Sequence, residues 1–199
     1  DQYEEGAKYN ITDTCAKPLS LAELFSLAGE DRTDFMDRFF EREQTYGAIF
    51  GSEKVKKEIS RLYTSIRPEE ILTEHGATGG NQHIFFSLIR PGDRVIAFSP
   101  SYQQFYSAPE ALGAEVTVLR LRRENGYLPD FDELLQAAAR GVRMICLNNP
   151  NNPTGSLIPA DMMEDIVAIA RRAGAYLFCD EVYSGVSIDG ARSLSVCDL

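Results

Sequence analysis

Residues 148–155 read NNPNNPTG, with four asparagines, two prolines, a threonine and a glycine in eight positions. Neither a helix interior nor a central strand accommodates Pro150 and Pro153 at that spacing, because proline supplies no N–H to a hydrogen-bond ladder. The run VRMICL just before them (142–147) is nearly all apolar. A buried strand is therefore expected to end by delivering amide side chains to one place. Three other stretches have the same form: HGAT (75–78) after ILTE, SPSY (99–102) after VIAF, and DEVY (180–183) after AYLFC.

Each exit offers a different chemistry. HGAT is expected to open a helix, and a helix N-terminus presents free N–H groups and a partial positive charge that suit a phosphate. Ala77 is small enough to let an anion approach, and Thr78 can add a hydroxyl; taken alone, Thr78 is equally a plain N-cap. Tyr102 is either an amphipathic rim residue or a ring that stacks on a flat ligand. Asp180 follows an apolar run, and buried acids are rare unless paired. It is either a cap or ion-pair partner, or a carboxylate held for one cationic group. Tyr183, three residues on, can bring a phenol to the same cavity, and Asn152 an amide. GxGxxG and GxxxxGK[ST] are both absent, which removes support for a dinucleotide fold or a P-loop.

A phosphate cradle, a stacking ring, a carboxylate for a ring nitrogen, and amide and phenol donors fit one molecule well, pyridoxal 5′-phosphate. The carboxylate would keep the pyridine nitrogen protonated and make the ring an electron sink. Asn152 and Tyr183 would hold its 3′ oxygen.

The elements needed to position these residues can be read from periodicity. Helices are expected over 20–29, 33–43 and 52–63, the last with Val55, Ile59 and Leu62 on one face. From residue 71 a βα alternation sets in: a short strand at ILTEH, a helix with Ile84, Phe85, Leu88 and Ile89 inward, then strands at 94–100, 114–121, 142–148 and 175–183 alternating with helices at 102–113, 129–141 and 159–174. Continuous apolar strands separated by helices predict an α/β fold with a mostly parallel central sheet and helices on both faces. In such sheets ligands bind outside the carboxyl ends of the strands. The last residues are loop-like, and the sheet is expected to continue beyond them, with the C-terminal part of the domain missing. Residues 1–45 are expected to form an N-terminal arm and part of a small domain, and 46–199 an incomplete cofactor-binding large domain.

Composition narrows the function. The 199 residues carry a formal net charge of −10, which argues against nucleic acid and an anionic membrane surface as partners. There is no apolar run long enough to span a bilayer. Cys15, Cys146, Cys179 and Cys197 form no CxxC pair, as expected of a reduced cytoplasmic protein. His75 and His83 show no metal-ligand spacing.

The segments GATGGNQ, RPGDRVIAFSPSYQQF, NNPNNPTG and CDEVY, in this order and spacing across residues 46 to 185, resemble the class I/II aminotransferases of the fold-type I pyridoxal-phosphate superfamily. The resemblance implies that Ala77 and Thr78 touch the phosphate, Tyr102 stacks on the ring, Asn152 and Tyr183 hold the 3′ oxygen, and Asp180 partners the pyridine nitrogen. YGAIFG (46–51) is similar to a segment whose Tyr reaches the phosphate of the neighbouring subunit, which gives Tyr46 that role and implies a homodimer. It also implies an amino acid and a 2-oxo acid as substrates.

The family's Schiff-base Lys lies after the DEVY segment, whereas the five lysines here are Lys8, Lys17, Lys54, Lys56 and Lys57. That Lys, and the Arg that grips the substrate carboxylate, are expected downstream of Leu199. The ring-binding motifs do not separate transamination from the elimination or cyclisation run by aminocyclopropane-carboxylate synthase-like or capreomycidine synthase-like proteins. A third reading is the effector-sensing aminotransferase-like domain of a regulator. It would require a basic DNA-binding segment upstream, and residues 1–45 are neither basic nor helix-turn-helix-like.

Overall fold

The computed structural model describes residues 6–9, 14–15, 17–186 and 193–199, in two compact units, Asp1–Gly47 and Ala48–Leu199. In the first unit, helix α1 (Leu21–Ala28) starts where the Ser20 and Glu23 side chains cap each other's backbone N–H, and ends at Gly29 in the left-handed conformation. Asp31 caps α2 (Arg32–Glu41) by accepting from the Asp34 N–H. Phe25 meets Phe35 edge-on, with centroids 5.1 Å apart.

The second unit holds α3 (Glu53–Ser60), α4 (Gly76–Leu88), β1 (Arg94–Ser99), α5 (Gln104–Ala111), β2 (Glu115–Arg120), α6 (Phe131–Ala138), β3 (Met144–Asn148), α7 (Ala160–Ala173) and β4 (Tyr176–Asp180). The four strands form one sheet in the order β2-β1-β3-β4, and every pairing is parallel. This is the expected α/β architecture.

Two apolar layers cover the sheet. Because strand side chains alternate, Val95, Ala97, Met144, Cys146 and Phe178 face α4 and α5, where Phe85, Ile89 and Phe105 meet them. Ile96, Phe98, Ile145, Leu147, Leu177 and Cys179 face α6 and α7, against Leu134, Met163, Ile166 and Ile169. The same alternation carries Asn148 and Asp180, paired across β3 and β4, onto the α4/α5 side at the carboxyl ends of their strands. Sheet register therefore decides where the site lies.

Three expectations are corrected. ILTEH forms no strand: it leaves a 3₁₀ turn (Pro68–Glu70) extended, with Ile71 and Thr73 half-buried and Leu72 and Glu74 exposed, but no neighbour among the described residues pairs with it. Its alternation satisfies strand propensity without a ladder. On α3 the buried residue is Lys56, ion-paired to Glu53 at 2.9 Å, while Val55 and Leu62 are exposed and Ile59 half-buried. Ile84 also faces outward, since the inward stripe of α4 runs Asn81–Phe85–Ile89.

Candidate functional site

Helix α4 begins at Gly76, whose φ of +77° places it in the region that favours glycine. Its N-cap is His75, which makes no side-chain cap bond, so Thr78 is not the cap. Ala77 and Thr78 lie in the first turn, where N–H groups have no intrahelical acceptor. No acidic residue occupies that turn.

The Thr78 and Tyr102 hydroxyls lie 3.3 Å apart. Tyr102 follows β1 and packs edge-on against Phe105 at 5.7 Å; Phe105 meets Phe178, and Phe178 meets Phe85 at 5.2 Å. A chain of aromatic contacts thus anchors the Tyr102 ring to the core between sheet and helices.

From Thr78 a hydrogen-bond network crosses to β4. Gln104 Nε2 donates to the Thr78 carbonyl at 2.9 Å, and Asn81 Nδ2 donates to Gln104 Oε1 at 3.2 Å and to Asp180 Oδ2 at 2.8 Å. Asp180 Oδ1 accepts from the Val182 N–H at 3.0 Å. Asn148 Nδ2 donates to the Asp180 carbonyl at 3.0 Å, while its Oδ1 accepts from the Asn152 N–H at 2.7 Å. Asn152 Nδ2 then reaches the Tyr183 hydroxyl at 3.2 Å. Thr78, Tyr102, Asp180, Asn152 and Tyr183 are therefore brought together, with Ala77 beside Thr78. Tyr46 lies in the N-terminal unit and is fully exposed.

The other asparagines of NNPNNPTG build the loop itself. Asn149 Oδ1 accepts from the Ile158 N–H at 2.9 Å, and its buried Nδ2 finds no partner among the described residues. Asn151 Nδ2 donates to the Pro100 carbonyl at 3.1 Å and to Thr154 Oγ1 at 2.7 Å. Asn151 thereby ties this loop to the SPSY exit, leaving Asn152 to reach outward.

Asn81 and Gln104 are site residues that motif reading missed. Asn81 was visible as a polar residue four positions before Phe85, on the stripe that α4 turns to the sheet. Gln104 carried no comparable signal.

The donor set fits pyridoxal phosphate on one structural observation in particular. Asp180 is only 8% exposed, yet no Lys, Arg or His among the described residues pairs with it. A carboxylate offers about four acceptor positions, and two are occupied here. Burying such a charge is costly without a cationic partner, and a protonated ring nitrogen is one. Among the described residues no group of His, Cys, Asp and Glu could hold a metal ion, and no helix is long and apolar enough to cross a membrane.

The family model described as aminotransferase class I and II matches residues 36–197. An LL-diaminopimelate aminotransferase of Syntrophobacter fumaroxidans is 35% identical over 130 residues, which cover 65% of this chain and 34% of that protein. An aspartate aminotransferase of Pyrococcus horikoshii is 33% identical over 127 residues, covering 64% of this chain and 32% of that one. The crystal structure of a PLP-dependent aminotransferase from Streptococcus suis superposes with a TM-score of 0.92 at 42% identity, over 98% of this chain and 52% of that one. The matches thus span about a third of these curated relatives and about half of that solved chain.

Proposed function

Because the chain belongs to the class I and II aminotransferases, of the fold-type I pyridoxal-phosphate superfamily, we propose that the full-length protein is a pyridoxal-phosphate-dependent aminotransferase acting on an amino acid and a 2-oxo acid. The observation that carries the proposal is the buried Asp180 carboxylate, hydrogen-bonded on both oxygens and facing no protein cation among the described residues.

When bound, pyridoxal phosphate supplies the electron sink for charge developing at the substrate Cα. The protein's part is to bind and polarise. The first-turn N–H groups of α4 at Ala77 and Thr78, with the Thr78 hydroxyl, hold the phosphate. Tyr102 would cover the ring, on a side chain whose orientation its contact with Phe105 holds. Asp180 keeps a proton on the ring nitrogen, a charge-assisted bond that is strong where water is excluded. Asn152 and Tyr183 would hold the 3′ oxygen together, as their mutual contact supports. On this reading the Schiff-base lysine and the arginine for the substrate carboxylate would belong to the part of such proteins that the matches do not span.

A homodimer is part of the same reading, with Tyr46 completing the phosphate site of the neighbouring subunit. Ile49, Phe50, Val55, Leu62 and Leu72 are all exposed apolar residues of the second unit, and an intersubunit face would cover them. The free thiols of Cys146, Cys179 and Cys197 support a reducing, cytoplasmic setting.

The test is to add single amino acids, including aspartate and LL-diaminopimelate, to the cofactor-loaded full-length protein and assay the matching 2-oxo acid. One equivalent released per site, with the amino group retained and passed on to a second 2-oxo acid, supports the reading. Release of an eliminated or cyclised product instead would sink it.

A further inference from the structure

Asn81 is where the two ends of the site meet. It lies in α4, one turn before Phe85, and is 6% exposed. Its neighbours on that stripe, Phe85 and Ile89, are 0% and 4% exposed, so an apolar side chain would ordinarily fill the position. The amide instead spends both N–H bonds of Nδ2, one on Asp180 Oδ2 at 2.8 Å and one on Gln104 Oε1 at 3.2 Å. Gln104 in turn holds the Thr78 carbonyl at 2.9 Å. Asp180 Oδ1 is fixed independently by the Val182 N–H at 3.0 Å. A carboxylate restrained at both oxygens cannot rotate, and its unused lone pairs point in set directions.

We infer that Asn81 is a positioning residue of the cofactor site: it aims the Asp180 carboxylate and, through Gln104, ties that aim to the phosphate-binding turn at Thr78. The inference rests on the proposed binding of pyridoxal phosphate. A purely architectural Asn81, satisfying neighbours in a buried layer, would predict damage to α4 as a whole with no preference for one part of the ligand.

The two roles separate with a pair of ligands. Dissociation constants are measured on full-length apoprotein for pyridoxal phosphate and for its 1-deaza analogue, in which C–H replaces the ring nitrogen. Both ligands share the phosphate, the aldehyde and the 3′ oxygen, and only the first uses Asp180. Asn81→Leu is expected to weaken pyridoxal phosphate about 10- to 100-fold, the loss of one hydrogen bond to a charged group, and to weaken the analogue, which shares only the phosphate side of the network, clearly less. Equal losses for both ligands would overturn the inference. Should Asn81→Leu not fold, Asn81→Ala, which removes the amide without adding bulk or charge, must show the same discrimination. Wild-type protein that binds neither ligand would overturn the cofactor reading itself, an outcome distinct from equal losses in the variants.

Discussion

Asn148 Nδ2 donates to the Asp180 carbonyl at 3.0 Å, across the register pair that ends strands β3 and β4. The other end of the same amide accepts from the Asn152 N–H at 2.7 Å. One buried side chain thus closes the sheet edge and sets the loop that carries Asn152. Asn148→Ala is expected to cost about 1–3 kcal/mol of stability, the penalty of leaving buried groups unpaired, and to weaken cofactor binding as well. Asn152→Ala, at a half-buried position, is expected to weaken the cofactor with little loss of stability. Urea unfolding beside a cofactor titration checks both.

Asp180→Asn keeps the shape and removes the charge. Losing a buried charge-assisted bond of about 2–3 kcal/mol corresponds to about a 30- to 150-fold loss of cofactor affinity. A fluorescence titration of full-length apoprotein reads this directly. Affinity within about twofold of wild type would show that Asp180 does not face the ring.

At Tyr102 the ring and the hydroxyl separate. Tyr102→Phe keeps the edge contact with Phe105 and loses only the hydroxyl near Thr78, so cofactor affinity is expected to stay within about threefold. Tyr102→Ala removes the stacking surface and is expected to cost about 1.5 kcal/mol, roughly tenfold.

Burial raises the Cys146 thiol well above the ordinary range, and burial together with the Glu181 and Asp180 charges raises Cys179. The folded state therefore keeps protons that the unfolded state releases above about pH 8.5. Stability from these thiols is fully present below that pH and is lost as pH rises through the folded-state values. Denaturant unfolding under reducing conditions should show stability falling above about pH 9, by up to about 1.4 kcal/mol per pH unit per thiol. A Cys146→Ala/Cys179→Ala variant should be less stable at neutral pH but flatter above it.

The parallel sheet was legible because β1 and β3 each carry four consecutive apolar residues, 95–98 and 144–147, and are punctuated by Gly and Pro. The candidate site was legible as a cluster because each motif pairs a strand end or helix start with a residue of unusual chemistry, and the hydrogen bonds link Thr78, Asp180, Asn152 and Tyr183. What could not be read was pairing. ILTEH has the composition and alternation of a strand and lacks only a neighbour, which is a fact of tertiary structure. Val55 and Leu62 form a helical stripe that nothing among the described residues of the second unit buries. Asn81 and Gln104 act through contacts 99 and 23 residues apart in sequence, and no local pattern encodes such a contact.

The most direct test is a crystal structure of the full-length protein with pyridoxal phosphate bound. The ring nitrogen should lie within hydrogen-bonding distance of Asp180, the phosphate against the first turn of α4 at Ala77 and Thr78, and the Tyr102 ring over the pyridine face. A cofactor seated elsewhere, or one whose ring nitrogen points away from Asp180, would contradict the account.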